Sequence, residues 1–96
     1  MAVKVKIRLL GVFRGFSGKS QISLRLEKAT VRNVVQTLAK SLSKEARGLL
    51  VDVELNDPRP NALILLNGKE INVLNGLETE VKEGDEVTLI PISHGG

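Results

Sequence analysis

The sequence predicts an α+β domain in which a mixed sheet carries one main helix packed on one of its faces. Three observations predict it: two-residue apolar alternation near both ends of the chain, one stretch of helical periodicity between them, and an Asn-Gly turn signal in the second half. Ninety-six residues make one domain. A chain of this size buries roughly 60–65% of the surface exposed when unfolded, enough for a single core.

Val3, Val5, Ile7 and Leu9 alternate with Lys4, Lys6 and Arg8, the pattern of a half-buried strand with one charged face. Gly11 to Gly18 holds three glycines and reads as a loop. Ile22, Leu24 and Leu26 then alternate with Gln21, Ser23 and Arg25, so the first two strands form a hairpin. From Val31 the period changes: Val34, Val35, Leu38, Ala39 and Leu42 complete one stripe of an amphipathic helix. Thr30 is suited to cap its free amides, and Lys40 and Lys44 suit its negative C-terminal pole.

Leu49, Val51, Val53 and Leu55 alternate with other residues and suggest an extra edge strand, ended by Asn56-Asp57-Pro58-Arg59-Pro60. Residues 62–67 read as a strand apolar on both faces, and Asn67-Gly68 turns it into a short strand from Glu70 to Val73. A turn or 3₁₀ segment over 77–82 and the turn Glu83-Gly84-Asp85 lead to a last strand, 86–92. The domain is thus expected over 1–92, with 93–96 a flexible C-terminal tail. The helix must cover one sheet face, with the first and last strands adjacent in the middle. The expected core is Val3, Val5, Ile7, Leu9, Ile22, Leu24, Leu26, Val34, Val35, Leu38, Leu42, Ile64, Leu66, Val87 and Leu89.

Composition removes several kinds of chemistry. There is no cysteine, hence no disulfide, thiol catalysis or cysteine-held metal. The N-terminal alternation of charge and apolar residues is neither a signal peptide nor a membrane span, so a cytoplasmic protein is expected. Net charge is +3, unevenly spread: residues 1–32 carry eight Lys and Arg against Glu27, and residues 33–96 carry six against ten Asp and Glu. That asymmetry could orient a partner, or simply decorate solvated strand faces.

Two motifs are decoys. Gly18-Lys19-Ser20 lacks the glycine that a phosphate-binding loop needs five residues before Gly18, where Phe13 stands, and a strand follows it rather than a helix. His94 is the single histidine, with no carboxylate or nucleophile beside it in sequence. The remaining candidate is Gly95-Gly96 at the C-terminus, which is only suggestive by itself and becomes specific when joined to the pattern that precedes it. Glycine averages about 7% of residues, so chance gives such a pair about once in two hundred chains, or about once in a hundred at the higher glycine content of this one.

Asn67-Gly68, the run Gly76-Leu77-Glu78-Thr79-Glu80-Val81-Lys82-Glu83-Gly84-Asp85-Glu86-Val87, Pro91 and Gly95-Gly96 together resemble the ubiquitin-like β-grasp sulfur carriers and modifiers. The nearest patterns are the molybdopterin synthase small subunit (MoaD), archaeal small modifier proteins and the ubiquitin-related modifier, which also has His before its diglycine. Molybdopterin synthase subunits usually end Pro-Pro-Val-small-Gly-Gly. Here Pro91-Ile92-Ser93-His94 precedes the glycines, which implies the modifier branch.

The resemblance implies a β-grasp fold and a carrier rather than an enzyme. An E1-like adenylating enzyme would use ATP to activate the Gly96 carboxylate, a group ionised and unreactive at neutral pH. A sulfur donor protein would then yield a thiocarboxylate for tRNA thiolation or molybdopterin, or lysines of target proteins would accept the chain. No bound cofactor and a monomeric protein are expected. Gly95 keeps the terminus slim enough for a narrow active site. Strand parity places Leu63, Leu65, Ile90 and Ile92 on the sheet face away from the helix, an expected partner surface with His94 beyond it, unless the 45–56 segment folds over them. The alternatives are a dedicated subunit of molybdopterin synthase, with its large subunit as partner, and an RNA-binding module using Lys4, Lys6, Arg8 and Arg25.

Overall fold

A computed structural model describes residues 2–27 and 29–92. Its elements are β1 (Val3–Leu9), α1 (Gly11–Ser17), β2 (Gln21–Leu26), α2 (Val31–Lys40), α3 (Lys44–Leu50), β3 (Ala62–Leu66), β4 (Lys69–Glu70) and β5 (Glu86–Pro91). Short 3₁₀ turns occupy Ile71–Val73 and Gly76–Glu78.

The strands form one mixed sheet in the order β2-β1-β5-β3-β4. β1 pairs with β2 antiparallel and with β5 parallel, so the first and last strands share the middle as expected. β5 pairs with β3 antiparallel, and β3 turns into β4 through Asn67-Gly68. Both turn residues have positive φ, 50° and 85°, as this hairpin turn demands. The Asn67 carboxamide also ties the turn to β5: its Oδ1 accepts from the Glu86 N–H at 2.9 Å and its Nδ2 donates to Asp85 Oδ1 at 3.0 Å.

α2 lies over one face of the sheet because its apolar stripe and the inward strand residues complete each other. Val31, Val34, Val35 and Leu38 are buried with Val5, Ile7, Leu9, Ile64, Val87 and Leu89 in one core. Thr30 caps the helix, its hydroxyl accepting from the Asn33 N–H at 3.2 Å. The helix stops at Lys40, and Ser41 folds back so that its hydroxyl donates to the Leu38 carbonyl at 2.7 Å. Among the expected core residues Val3, Ile22, Leu24 and Leu42 are only partly buried and pack on its margin.

Three segments differ from the sequence expectation. Residues 11–17 are the helix α1, not a loop, because Phe13 is drawn into the core and is 1% exposed. Residues 44–50 are helical rather than an edge strand: Ser43 accepts from the Ala46 N–H at 3.1 Å, and Ala46 and Leu50, four apart, are both buried. The return strand after Gly68 lasts two residues before Glu70 accepts from the Asn72 N–H and caps the first 3₁₀ turn.

Arg47 ties α3 to α2, its Nε donating at 3.2 Å to the Ala39 carbonyl, which also accepts from the Leu42 N–H at 3.1 Å. The segment after α3 is closed by paired Asp52 and Asp57 backbones and by the Arg59 fork on the Asp57 carboxylate, with Nη2 to Oδ2 at 2.7 Å. That hydrogen-bonded guanidinium holds the Asp57 carboxyl below its ordinary range. Expectations that fell on Ser93, His94, Gly95 and Gly96, the proposed tail, lie outside the described residues.

Candidate partner-docking face

The face of the sheet turned away from α2 is set by strand parity. Because Val5, Ile7, Leu9, Ala62, Ile64, Leu66, Val87 and Leu89 point into the core, their neighbours along each strand point out. The register then fixes rows across the sheet. Leu63 stands opposite Ile90, and Leu65 lies between Thr88 on one side and Glu70 on the other. Thr88 partners Arg8, which partners Gln21; Glu86 partners Lys6, which partners Ser23.

On the β3 and β5 side this face is apolar. Leu63 is 38% and Ile92 41% exposed, and Leu65 and Ile90 are half-buried. Segment 45–56 does not cover them. Arg47, Val51 and Asn56 instead join Val35, Gln36 and Ala39 of α2 around a groove of about 320 Å³ on the helix side. The register thus sets Leu63, Leu65 and Ile90 on one face, and Ile92 follows just beyond the end of β5.

The end of β5 is held firmly. The Ile92 N–H donates to the Asn61 carbonyl at 3.0 Å, and Pro91 pairs with Ala62. On the other flank Gly11 approaches Pro91 so closely that a Cβ there would lie 2.8 Å from the proline Cγ. The chain position from which residues 93–96 depart is thus fixed by β3 and by the start of α1.

On the β1 and β2 side the face is basic, with Lys4, Lys6, Arg8 and Arg25 all exposed. Sequence reading found the basic set and the apolar set separately. It missed that they form one face, because the parallel β1–β5 register that joins them has no local signal. Thr88 and Glu86, which bridge the two halves, were missed for the same reason. Gly18-Lys19-Ser20 leads into β2 and not a helix, which is no phosphate-loop geometry. Among the described residues no cluster of three His, Cys, Asp or Glu could hold a metal ion. No helix there is long and apolar enough to cross a membrane.

The family model described as the ThiS family matches residues 7–96, nearly the whole chain. The chain belongs to the ThiS family. Its relatives include a protein of Archaeoglobus fulgidus provisionally described as a sulfur carrier protein, 32% identical over all of both chains. Small archaeal modifier protein 3 of Haloferax volcanii is 30% identical over 98% of this chain and all of its own. The solved structure of small archaeal modifier protein 1 from Methanosarcina acetivorans superposes with a TM-score of 0.81 at 27% identity, covering 100% of this chain and 99% of that one. These ThiS-family relatives are ubiquitin-like β-grasp proteins, carriers and modifiers rather than catalysts, in agreement with the resemblance drawn from the sequence.

Proposed function

We propose that this protein is a ubiquitin-like carrier whose Gly96 carboxylate is activated by an E1-like enzyme, after that enzyme docks on Leu63, Leu65, Ile90 and Ile92. The observation that carries the reading is that β5 does two things. It supplies Ile90 to the apolar face, Ile92 follows at its end, and it leads directly into the segment ending Gly95-Gly96. Four residues span at most about 14 Å, so a partner seated on that face has the terminus within reach of its own active site.

The chemistry is acyl transfer. A Gly96 carboxylate oxygen attacks the α-phosphorus of ATP, pyrophosphate leaves, and an acyl-adenylate forms. A sulfur nucleophile at the sulfide level, supplied by a sulfur donor protein, then attacks the carbonyl carbon. AMP leaves with the C–O bond electrons, one proton is released, and a thiocarboxylate remains as donor to tRNA or to molybdopterin assembly. A target lysine amine attacking the same carbon would give an isopeptide instead. Gly95 contributes slimness, since no Cβ holds the backbone away from an enclosing channel. His94, next to it, is assigned to recognition by the activating enzyme, and the cytoplasm, where ATP and reduced sulfur are available, is the expected compartment.

The test incubates the protein with its cognate adenylating enzyme, ATP and labelled pyrophosphate. The wild type should support exchange, and deletion of Gly96 should abolish it while leaving thermal stability unchanged. Equal exchange by both would overturn the reading. The mass of the protein from its own cells separates the outcomes: sulfur for oxygen at the terminus marks a carrier, lysine-linked adducts a modifier.

A further inference from the structure

The basic half of the outer face is only partly explained by the fold: of its four cations, Lys6 alone is registered opposite a carboxylate, that of Glu86. Lys4, Lys6, Arg8 and Arg25 are exposed, and none is in an ion pair within 4 Å among the described residues, unlike Arg32 with Glu78 and Arg59 with Asp57. Lys4 stands directly opposite Arg25 across the β1–β2 pair, and like charges so placed weaken a sheet. Lysines often protect a sheet edge from pairing with other chains. β1 is not an edge, since it lies between β2 and β5, so edge protection does not account for Lys4, Lys6 or Arg8.

The strip is continuous with the apolar patch. Arg8, Thr88 and Leu65 follow one another across β1, β5 and β3, and two strand spacings place Arg8 about 10 Å from Leu65, backbone to backbone. A partner seated on Leu63, Leu65 and Ile90 that also covers Thr88 of β5 comes within one strand spacing of Arg8, inside the Debye length of about 8 Å at physiological salt.

We propose that Lys4, Lys6, Arg8 and Arg25 are the steering half of the docking face, and that the adenylating enzyme presents Asp and Glu carboxylates beside its apolar contact surface. This rests on the adenylation reading above and adds the chemistry of the partner's surface. Charge of one sign on one face raises encounter rates and fixes orientation, so that the carboxyl-terminal end arrives at the active site rather than the helix side. A nucleic acid fits less well. It would want exposed aromatic rings to stack on, whereas Phe13 is buried and Phe16 half-buried in α1.

The experiment compares pyrophosphate exchange by the cognate adenylating enzyme at low and high salt for four full-length proteins: wild type, the outer-face variant Lys6→Glu/Arg8→Glu, its neutral counterpart Lys6→Gln/Arg8→Gln, and the helix-side variant Lys40→Glu/Lys44→Glu. The last makes the same net charge change on the helix side. The outer-face variant should lose about 10-fold or more in kcat/KM at low salt with kcat unchanged, and the gap should close near 1 M salt, where the Debye length is about 3 Å. Lys6→Gln/Arg8→Gln should lose less, and the helix-side variant should stay within about twofold of wild type. Thermal melting checks that each variant is folded. An unchanged outer-face variant, an equal loss in the outer-face and helix-side variants, or a loss that salt does not relieve would each overturn the proposal. So would tRNA retention by the wild type in a gel shift that is lost in the outer-face variant while exchange is unaffected. Failure of the adenylation reading itself shows separately, as exchange that survives deletion of Gly96.

Discussion

Gly11 is where the chain leaves the sheet, and only glycine fits there. Its φ is +55°, a left-handed value costly for other residues, and an added Cβ would lie 2.8 Å from Pro91 Cγ, closer than side chains pack. Pro91 is the last residue of β5, so strain at Gly11 passes directly to the strand that carries Ile92 and the residues beyond. Gly11→Ala should therefore lower stability by about 1–3 kcal/mol, several degrees or more in Tm for a domain of this size. Gly15→Ala is the matched control, since nothing lies within 4 Å of a Cβ at that position. Thermal unfolding of the two variants side by side would show whether the close approach to Pro91 exists; equal, small effects would mean that it does not. The sequence showed three glycines in this stretch and suggested looseness, yet one of them marks a tight contact.

The elements legible in the sequence were those whose period repeats often enough to be counted. β1, β2 and α2 each repeat their pattern nearly three times or more; β1 and β2 stand where it placed them, and α2 starts where it should but stops at Lys40, short of Leu42 and of Lys44, which opens α3 instead. α1 and α3 have seven residues each, too few for a stripe to stand out, and α1 includes two glycines, which favour a loop reading. In α3 the alternation of Leu49, Val51, Val53 and Leu55 was misleading, because it crosses the end of a helix and runs into a turn. The capping serine at 43 and the buried pair Ala46 and Leu50 were the truer signal. α1 is held by tertiary packing, through Phe13 and its ring contact with Phe16 at 5.7 Å between centroids. Phe13→Ala should then cost about 3–5 kcal/mol, the usual loss for a buried aromatic ring, whereas Val12→Ala, half exposed on the same helix, should stay within about 0.5 kcal/mol. Denaturant melts of the two distinguish a core helix from a surface loop, in which neither change would matter.

At the scale of the whole molecule, function depends on two faces of one sheet being treated differently. One is sealed by α2, and the helix-side position of α3 and the loop after it leaves the other open. Parity alone placed Leu63, Leu65 and Ile90 on the open face, because side-chain direction alternates without exception along a regular strand. Whether that face would be covered could not be read, since it depended on which side of the sheet a misread segment would pack. Burial and docking now separate cleanly in their consequences. Leu63 is more than one-third exposed and lies opposite Ile90, near the point where the chain runs on to Gly96. An aspartate there removes little buried area, so Leu63→Asp should unfold within about 1 kcal/mol of wild type. It would nevertheless put an uncompensated carboxylate into a desolvated apolar contact, which costs binding about 3 kcal/mol or more. Its pyrophosphate exchange should therefore fall by about 100-fold or more through KM, and high salt should not restore it, unlike the loss from reversing Lys6 and Arg8. A Leu63→Asp protein that melts normally and is adenylated normally would remove the apolar face from the mechanism and leave the terminal glycines to be recognised on their own.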